Sequence, residues 1–297
     1  MKKLSVFFIM ACLIASPALG VENYWTGAAG NGDWMTAANW GNGTTTPVGT
    51  LPGATLDRAN INLNGSVVNI SASSSASAQQ LDVGYSTAGG TNTLNIFGSL
   101  NVVKNWRVGS QTGGAQVAIM NVDGGTLTNG LLGGSSATDS VPHVGRYGSG
   151  TLNITNDGLV KINNSLVTSG TVNGYGVVNL IDGILQANGW RAFEATSVAG
   201  IDAVRGTRSR HQMDITGGTL ILQGDRLIQM WDFANGGVIT GYGEAGYGVG
   251  HKLQIRLVEG YLVNGNWGTL TEVTAIPEPA TIMLLGIGSL IFVRRKK

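Results

Sequence analysis

Cysteine is nearly missing from this chain: Cys12 is the one thiol among 297 residues. That excludes an intramolecular disulfide and a multi-cysteine metal site, so packing and backbone hydrogen bonds must hold the fold. Charge is also scarce, at 12% of residues where an average domain has about 25%. The two ends hold six of the 18 cations and one of the 17 acids, which leaves residues 21 to 276 with a net charge of −4. No basic stripe interleaved with aromatics occurs there, and nothing points to nucleic acid as a partner. The one cationic cluster, Arg205, Arg208 and Arg210 in RGTRSRHQ, reads as a solvated loop.

Glycine is what the chain has in excess, with 47 residues. Aliphatic residues nevertheless recur in short bursts throughout, so a folded core is expected rather than a polar coil. Five segments repeat an apolar-polar-apolar start, a turn and an apolar restart: LNIFGSL at 94, MNVDGGTL at 120, LNITNDGL at 152, VNLIDGIL at 178 and MDITGGTL at 213. Their starts lie 26, 32, 26 and 35 residues apart. A strand has period two, so Leu152 and Ile154 face inward with Asn153 outward. Asp-Gly, Gly-Gly and Asn-Asp-Gly supply turns in which glycine takes φ > 0 without strain. Three segments are preceded by strands ending in Val83-Gly84, Val108-Gly109 and Val144-Gly145. One such unit cannot bury its apolar face alone, but stacked units can.

The expected fold is therefore all-β, a right-handed parallel β-helix or β-solenoid, with a signal helix before it and a transmembrane helix after it. Its divisions are a signal peptide (1–20), an N-terminal cap and first strands (21–80), a repeat region with closing strands (81–275) and a C-terminal tail (276–297). Asn95, Asn121, Asn153 and Asn179, with Asp214 in register, are expected to stack as a structural ladder on one outer face. Trp25, Trp34 and Trp40 are expected to cover an apolar end. SASSSASAQQ reads as a small-residue linker or outer strand, and residues 189–210 as a long loop or short helix between rungs. Residues 234–250 form a Gly/Tyr-rich connection before a final strand pair, KLQIRLVEG and WGTLTEV, that closes the open end.

Catalytic chemistry finds little support. The acids are spread singly, and Asp123, Asp157 and Asp182 are accounted for by turns. His143, His211 and His251 are far apart in sequence, with no second ligand at metal spacing. Calcium in the Asn31-Gly32-Asp33 turn would have one carboxylate for a site of six or more oxygens. There is no G-x-S-x-G elbow, H-E-x-x-H helix or P-loop. No catalytic, cofactor-binding or metal-binding residue is assigned. Asp225, Arg226 and Asp232 in QGDRLIQMWDF are the residues that folding could gather into a reactive groove.

The ends carry addresses. MKKLSVFFIMACLIASPALG has two lysines, an apolar stretch and a small-residue cut site, with Ala18 and Gly20 as recognition positions for signal peptidase before Val21. A lipoprotein cut before Cys12 would truncate the apolar run. IPEPATIMLLGIGSLIFVRRKK joins Pro277-Glu278-Pro279, an apolar run from Ala280 to Val293, and the basic stop-transfer cluster Arg294, Arg295, Lys296 and Lys297. As a helix, residues 280–293 would measure about 21 Å against roughly 30 Å of hydrocarbon, which suits a transient anchor. The cations would stay cytoplasmic and the body outside. A plain tail anchor does not account for the triplet and the cations together.

This tail resembles the PEP-CTERM sorting signal of Gram-negative bacteria. The resemblance implies that an exosortase-type membrane protease recognises Pro277, Glu278 and Pro279 and that the protein reaches the cell surface or exopolysaccharide matrix. WTGAAGNGDWMTAANW, PGATLDRANI and the LNITNDGL-type segments resemble, more softly, the autotransporter-passenger-like repeats common in PEP-CTERM proteins. An autotransporter's C-terminal barrel of alternating strands is lacking. The expected function is a non-enzymatic surface or biofilm-matrix protein that contacts polysaccharide or other copies of itself. The alternative is a carbohydrate-active enzyme or carbohydrate-binding module on the same scaffold.

Overall fold

A computed structural model describes residues 22–42, 49–53, 57–84, 90–110, 116–130, 141–171, 173–193, 195–205, 212–261 and 265–276. Residues 1–20, expected as a signal peptide with Ala18 and Gly20 at its cut site, the triplet Pro277 to Pro279 and the tail to Lys297 lie outside the described residues. Two sheets, one of 12 strands and one of seven, make up the body, and the chain alternates between them. Strands β1 (Glu22–Trp25), β2 (Trp40–Asn42) and β3 (Arg58–Ile61) belong to the long sheet, and β4 (Val67–Ile70) opens the short one. The alternation continues with β5 (Ser75–Val83, long), β6 (Gly90–Ile96, short), β7 (Ser99–Val108, long) and β8 (Gln116–Asp123, short). Strands β9 (Thr126–Asn129) and β10 (His143–Val144) share one row of the long sheet, and β11 (Ser149–Thr155, short), β12 (Leu159–Thr168, long) and β13 (Tyr175–Leu180, short) come after them. The last strands are β14 (Ile184–Ala192, long), β15 (Met213–Ile215, short), β16 (Thr219–Gln223, long), β17 (Ile239–Gly241, short), and β18 (Leu253–Tyr261) with β19 (Trp267–Ala275) in the long sheet. Helix α1 (Val198–Arg205) lies between β14 and β15, and α2 (Leu227–Asn235) between β16 and β17.

From β3 to β17, neighbours within each sheet are parallel. Parallel strands need a crossover connection, and here each crossover is a strand of the other sheet. Register stacks like on like. On the inner side of the short sheet, Val68, Leu94, Met120, Leu152, Val178, Met213 and Ile239 form one column, and Ile70, Ile96, Val122, Ile154, Leu180 and Ile215 form another. All thirteen are fully buried. Each contributes roughly 1.5–3 kcal/mol by burial. Parallel stacking thus starts with β1 on β3 in the long sheet and with β4 in the short one, before the first of the five repeated segments.

The turns refine the expected role of glycine. In the Asn-Asp-Gly turn it is Asn156 and Asp157 that take positive φ, at 51° and 61°. Gly158 is required instead because a Cβ there would lie 2.3 Å from the Val122 carbonyl oxygen of the preceding unit. The Val-Gly corners do need the left-handed region: Gly109 and Gly145 have φ of 72° and 70°. The same corner continues in Ser169 and Phe193, at 54° and 51°. Each corner N–H, from Gly84 through Phe193, donates to a carbonyl of the unit before it. The stack imposes the conformation on the two residues that lack glycine's freedom.

Both ends are closed by elements that break the parallel pattern. At the start, β2 pairs antiparallel with β1, while Gly32 and Trp34 hydrogen-bond along β4 through Asn69. Trp40 meets Trp25 at 5.1 Å and Trp34 at 4.8 Å, edge to face, with all three buried. At the finish, β19 runs antiparallel to both β16 and β18, and Trp190 packs at 5.2 Å on Phe233 of α2. SASSSASAQQ contributes to β5, and residues 189–192 complete β14 before α1 begins. The Gly/Tyr-rich connection contains β17, a strand too short for its composition to announce.

Candidate functional site

The described surface offers a ladder, a buried ion cluster, a groove and the point where the tail departs. The ladder runs along the outer side of the short sheet. Asn95 donates through Nδ2 to Asn69 Oδ1 at 2.8 Å, Asn121 to Asn95 at 2.7 Å, Asn153 to Asn121 at 2.8 Å and Asn179 to Asn153 at 2.8 Å. Asp214 succeeds Asn179 in register, and its Oδ1 accepts from Thr240 Oγ1 at 2.6 Å and from the Gly243 N–H at 2.8 Å. Residue separations of 26 between most successive rungs show the basic repeat length. The 32-residue step from Asn121 to Asn153 contains residues 130–142, inserted between β9 and β10. The longer step from Asn179 to Asp214 contains α1. The expected ladder is therefore present, and it begins one rung earlier, at Asn69.

The ion cluster was not foreseen. On the outer side of the long sheet, register aligns Asn60, Asp82, Arg107 and His143 on β3, β5, β7 and β10. Asp82 is fully buried, with Arg107 Nε 2.6 Å from Oδ1 and Arg107 Nη2 donating to Oδ2 at 2.8 Å. Arg58 Nε lies 3.3 Å from Oδ2, and Arg58 Nη1 reaches Glu22 Oε1 at 3.1 Å. Burial pushes the Asp82 carboxyl above its usual range, against the pull of Arg107 and the weaker pull of Arg58 and Arg146. His143 is buried, with Nδ1 2.8 Å from the Val141 carbonyl oxygen. A signal for this cluster was available: Asp82, Arg107 and His143 each directly precede the valine of a Val-Gly corner. Aligning the corners aligns the charges.

Asp225, Arg226 and Asp232 do come together. With Thr196, Ser197, Ile228 and Gln229 they line an open groove of about 670 Å³ beside the starts of both helices. Each carboxylate also has a structural duty. Asp225 Oδ1 accepts from the Leu227 N–H at 3.1 Å, and Asp232 Oδ2 from the Val198 N–H at 2.6 Å. Both satisfy backbone donors left over at a helix start. Gln229 is held by the Trp190 carbonyl at 2.9 Å, while Ile228 stands exposed. The groove thus combines two acids, a cation, hydroxyls and an apolar wall.

Asn31 and Asp33 use their oxygens locally. Asn31 Oδ1 accepts from the Asp33 N–H at 3.1 Å and from Asn39 Nδ2 at 2.7 Å, and Asp33 Oδ2 accepts from Thr36 Oγ1 at 3.1 Å. Among the described residues, no three His, Cys, Asp or Glu side chains converge to hold a metal ion. Asp123 receives Thr155 Oγ1 at 3.0 Å from the neighbouring strand β11. His143 lies on β10, midway along the long sheet, and His251 just before β18 at its edge, while Arg208, Arg210 and His211 lie outside the described residues. Also among the described residues, no helix is long and apolar enough to cross a membrane.

The tail departs from the sheet itself. Ala275, the last residue of β19, pairs with Leu253, and the Ile276 N–H donates to the Lys252 carbonyl at 2.6 Å. The tail's own sequence defines the class of protein: an exported chain with a C-terminal sorting signal. Residues 275–297 match the family model described as the PEP-CTERM protein-sorting motif, which marks the chain for an exosortase-type membrane protease and for export to the cell surface. No curated protein and no solved structure matches the chain.

Proposed function

We propose that the protein is a non-enzymatic structural or adhesive component of the cell surface or exopolysaccharide matrix, built as a right-handed parallel β-solenoid. The observation that carries this reading is the uninterrupted outer ladder from Asn69 to Asn179 on a body joined to a sorting motif. Repeated polar rungs offer many weak, equivalent contacts to a repeating polymer. Right-handedness rests on the general rule for parallel strand crossovers. Signal peptidase removes residues 1–20, the run 280–293 anchors the chain in the inner membrane, and the protease then acts at Pro277 to Pro279. The soft likeness to autotransporter passengers fits the same stacked architecture.

Purified residues 21–276 mixed with extracted exopolysaccharide are expected to co-sediment with it and leave its chain ends unchanged. New reducing or unsaturated ends would overturn the reading in favour of a carbohydrate-active enzyme. The Asp225, Arg226 and Asp232 groove favours that second reading, because paired acids beside a cation are the groups glycosidic chemistry uses. For sorting, Glu278→Ala is expected to leave the protein in the membrane fraction. Normal release of that variant would exclude recognition through the triplet.

A further inference from the structure

The sorting motif match begins at residue 275, inside β19, so the tail has no spacer. Ile276 is still hydrogen-bonded to Lys252, and the apolar run begins at Ala280. The three residues between them reach about 11 Å when fully extended. The polar headgroup layer on each side of a bilayer is itself roughly 5–8 Å deep. On the anchor reading proposed above, the end of the body that carries Ile276 is therefore held within about 11 Å of the hydrocarbon, in or just beyond the headgroup layer.

That end has a suitable face. Ile276 shares a groove of about 550 Å³ with the turn from Gly248 to Lys252. The turn is closed by the Gly248 N–H donating to the Leu253 carbonyl at 2.8 Å and the His251 N–H donating to the Gly248 carbonyl at 3.1 Å. It presents Val249 fully exposed at its tip, with exposed His251 and half-buried Lys252 beside it. Tyr242, also exposed, comes directly after Gly241, which packs against Lys252. Glu244 is the acid on the adjoining turn. An apolar tip with a lysine, a histidine and a tyrosine next to it is the composition that settles at a membrane interface.

We infer that this face, centred on Val249, Lys252 and Ile276, rests on an anionic lipid surface while the tail is anchored, and so presents the processing site at the bilayer. The processed chain, residues 21–297, tests this and has no cysteine of its own. It carries Val249→Cys or, at the opposite cap, Asn64→Cys and is labelled with an environment-sensitive fluorophore. It is then reconstituted in vesicles of phosphatidylethanolamine and phosphatidylglycerol containing a headgroup-proximal spin-labelled lipid. Both positions are exposed, so neither substitution threatens the core. The expected result is loss of fluorescence at 249 and none at 64. Equal signals from a chain that floats with the vesicles overturn the docking face while sparing the anchor, even if the label at 249 later responds to protease-bearing membranes. A chain that does not float overturns anchor and docking together.

Discussion

The outer faces of the two sheets treat polar side chains in opposite ways. Along the short sheet, five asparagines repeat one neutral hydrogen bond between half-buried groups. Along the long sheet, Asp82, Arg107 and Arg58 form a single ionic cluster around a fully buried carboxylate. The difference shows how redundancy spreads risk. A ladder loses one or two equivalent bonds when a rung is removed, whereas a buried ion pair that loses one member leaves a charge without compensation.

The largest expected effect is therefore Arg107→Ala, at about 3–5 kcal/mol of stability at neutral pH by urea unfolding. Replacing both partners, Arg107→Met with Asp82→Leu, is expected to restore most of it. A single-variant loss no larger than that of a ladder rung would break the comparison.

A pH response of intermediate size is expected of the ionic face alone. Because the folded Asp82 carboxyl titrates above its usual range, its contribution to stability is full below the unfolded value and is lost as pH rises through the folded one. Without the guanidinium of Arg107 the folded value rises further. The penalty of Arg107→Ala should then shrink as pH falls to about 4, whereas an Asn121→Ala penalty should not move with pH. Urea midpoints across that window separate the two faces.

The smallest effects lie within the ladder. Asn121 makes two rung bonds, so Asn121→Ala should cost about 1–3 kcal/mol. Asn69 makes one rung bond, at the ladder's end, and Asn69→Ala should cost roughly half as much. Equal losses would mean that the rungs act independently of their position.

Much of the ladder face was legible in the sequence because it is written by repetition. Asn95, Asn121, Asn153 and Asn179 occupy the same place in similar segments, and period two assigns their neighbours to the core. Asn69 was missed because its segment, SVVNI, turns through Ser71 to Ser74 and restarts on Ala76 and Ala78, without the glycine turn and aliphatic restart that marked the others. The groove at Asp225, Arg226 and Asp232 was legible as a set of residues. Their capping duties were not, since those depend on where α1 and α2 begin.

The sequence by itself determined the period, the inward columns, the glycine corners and the sorting tail, since each is a local pattern that repeats or a motif read in order. The tertiary structure alone decided that Ser169 and Phe193 take the corner conformation of glycine, and that Asp82 meets Arg107. It also decided that the tail leaves directly from a paired strand. Those outcomes depend on stacking, which brings residues about 25 positions apart into contact and lets a neighbouring strand's backbone override local preference.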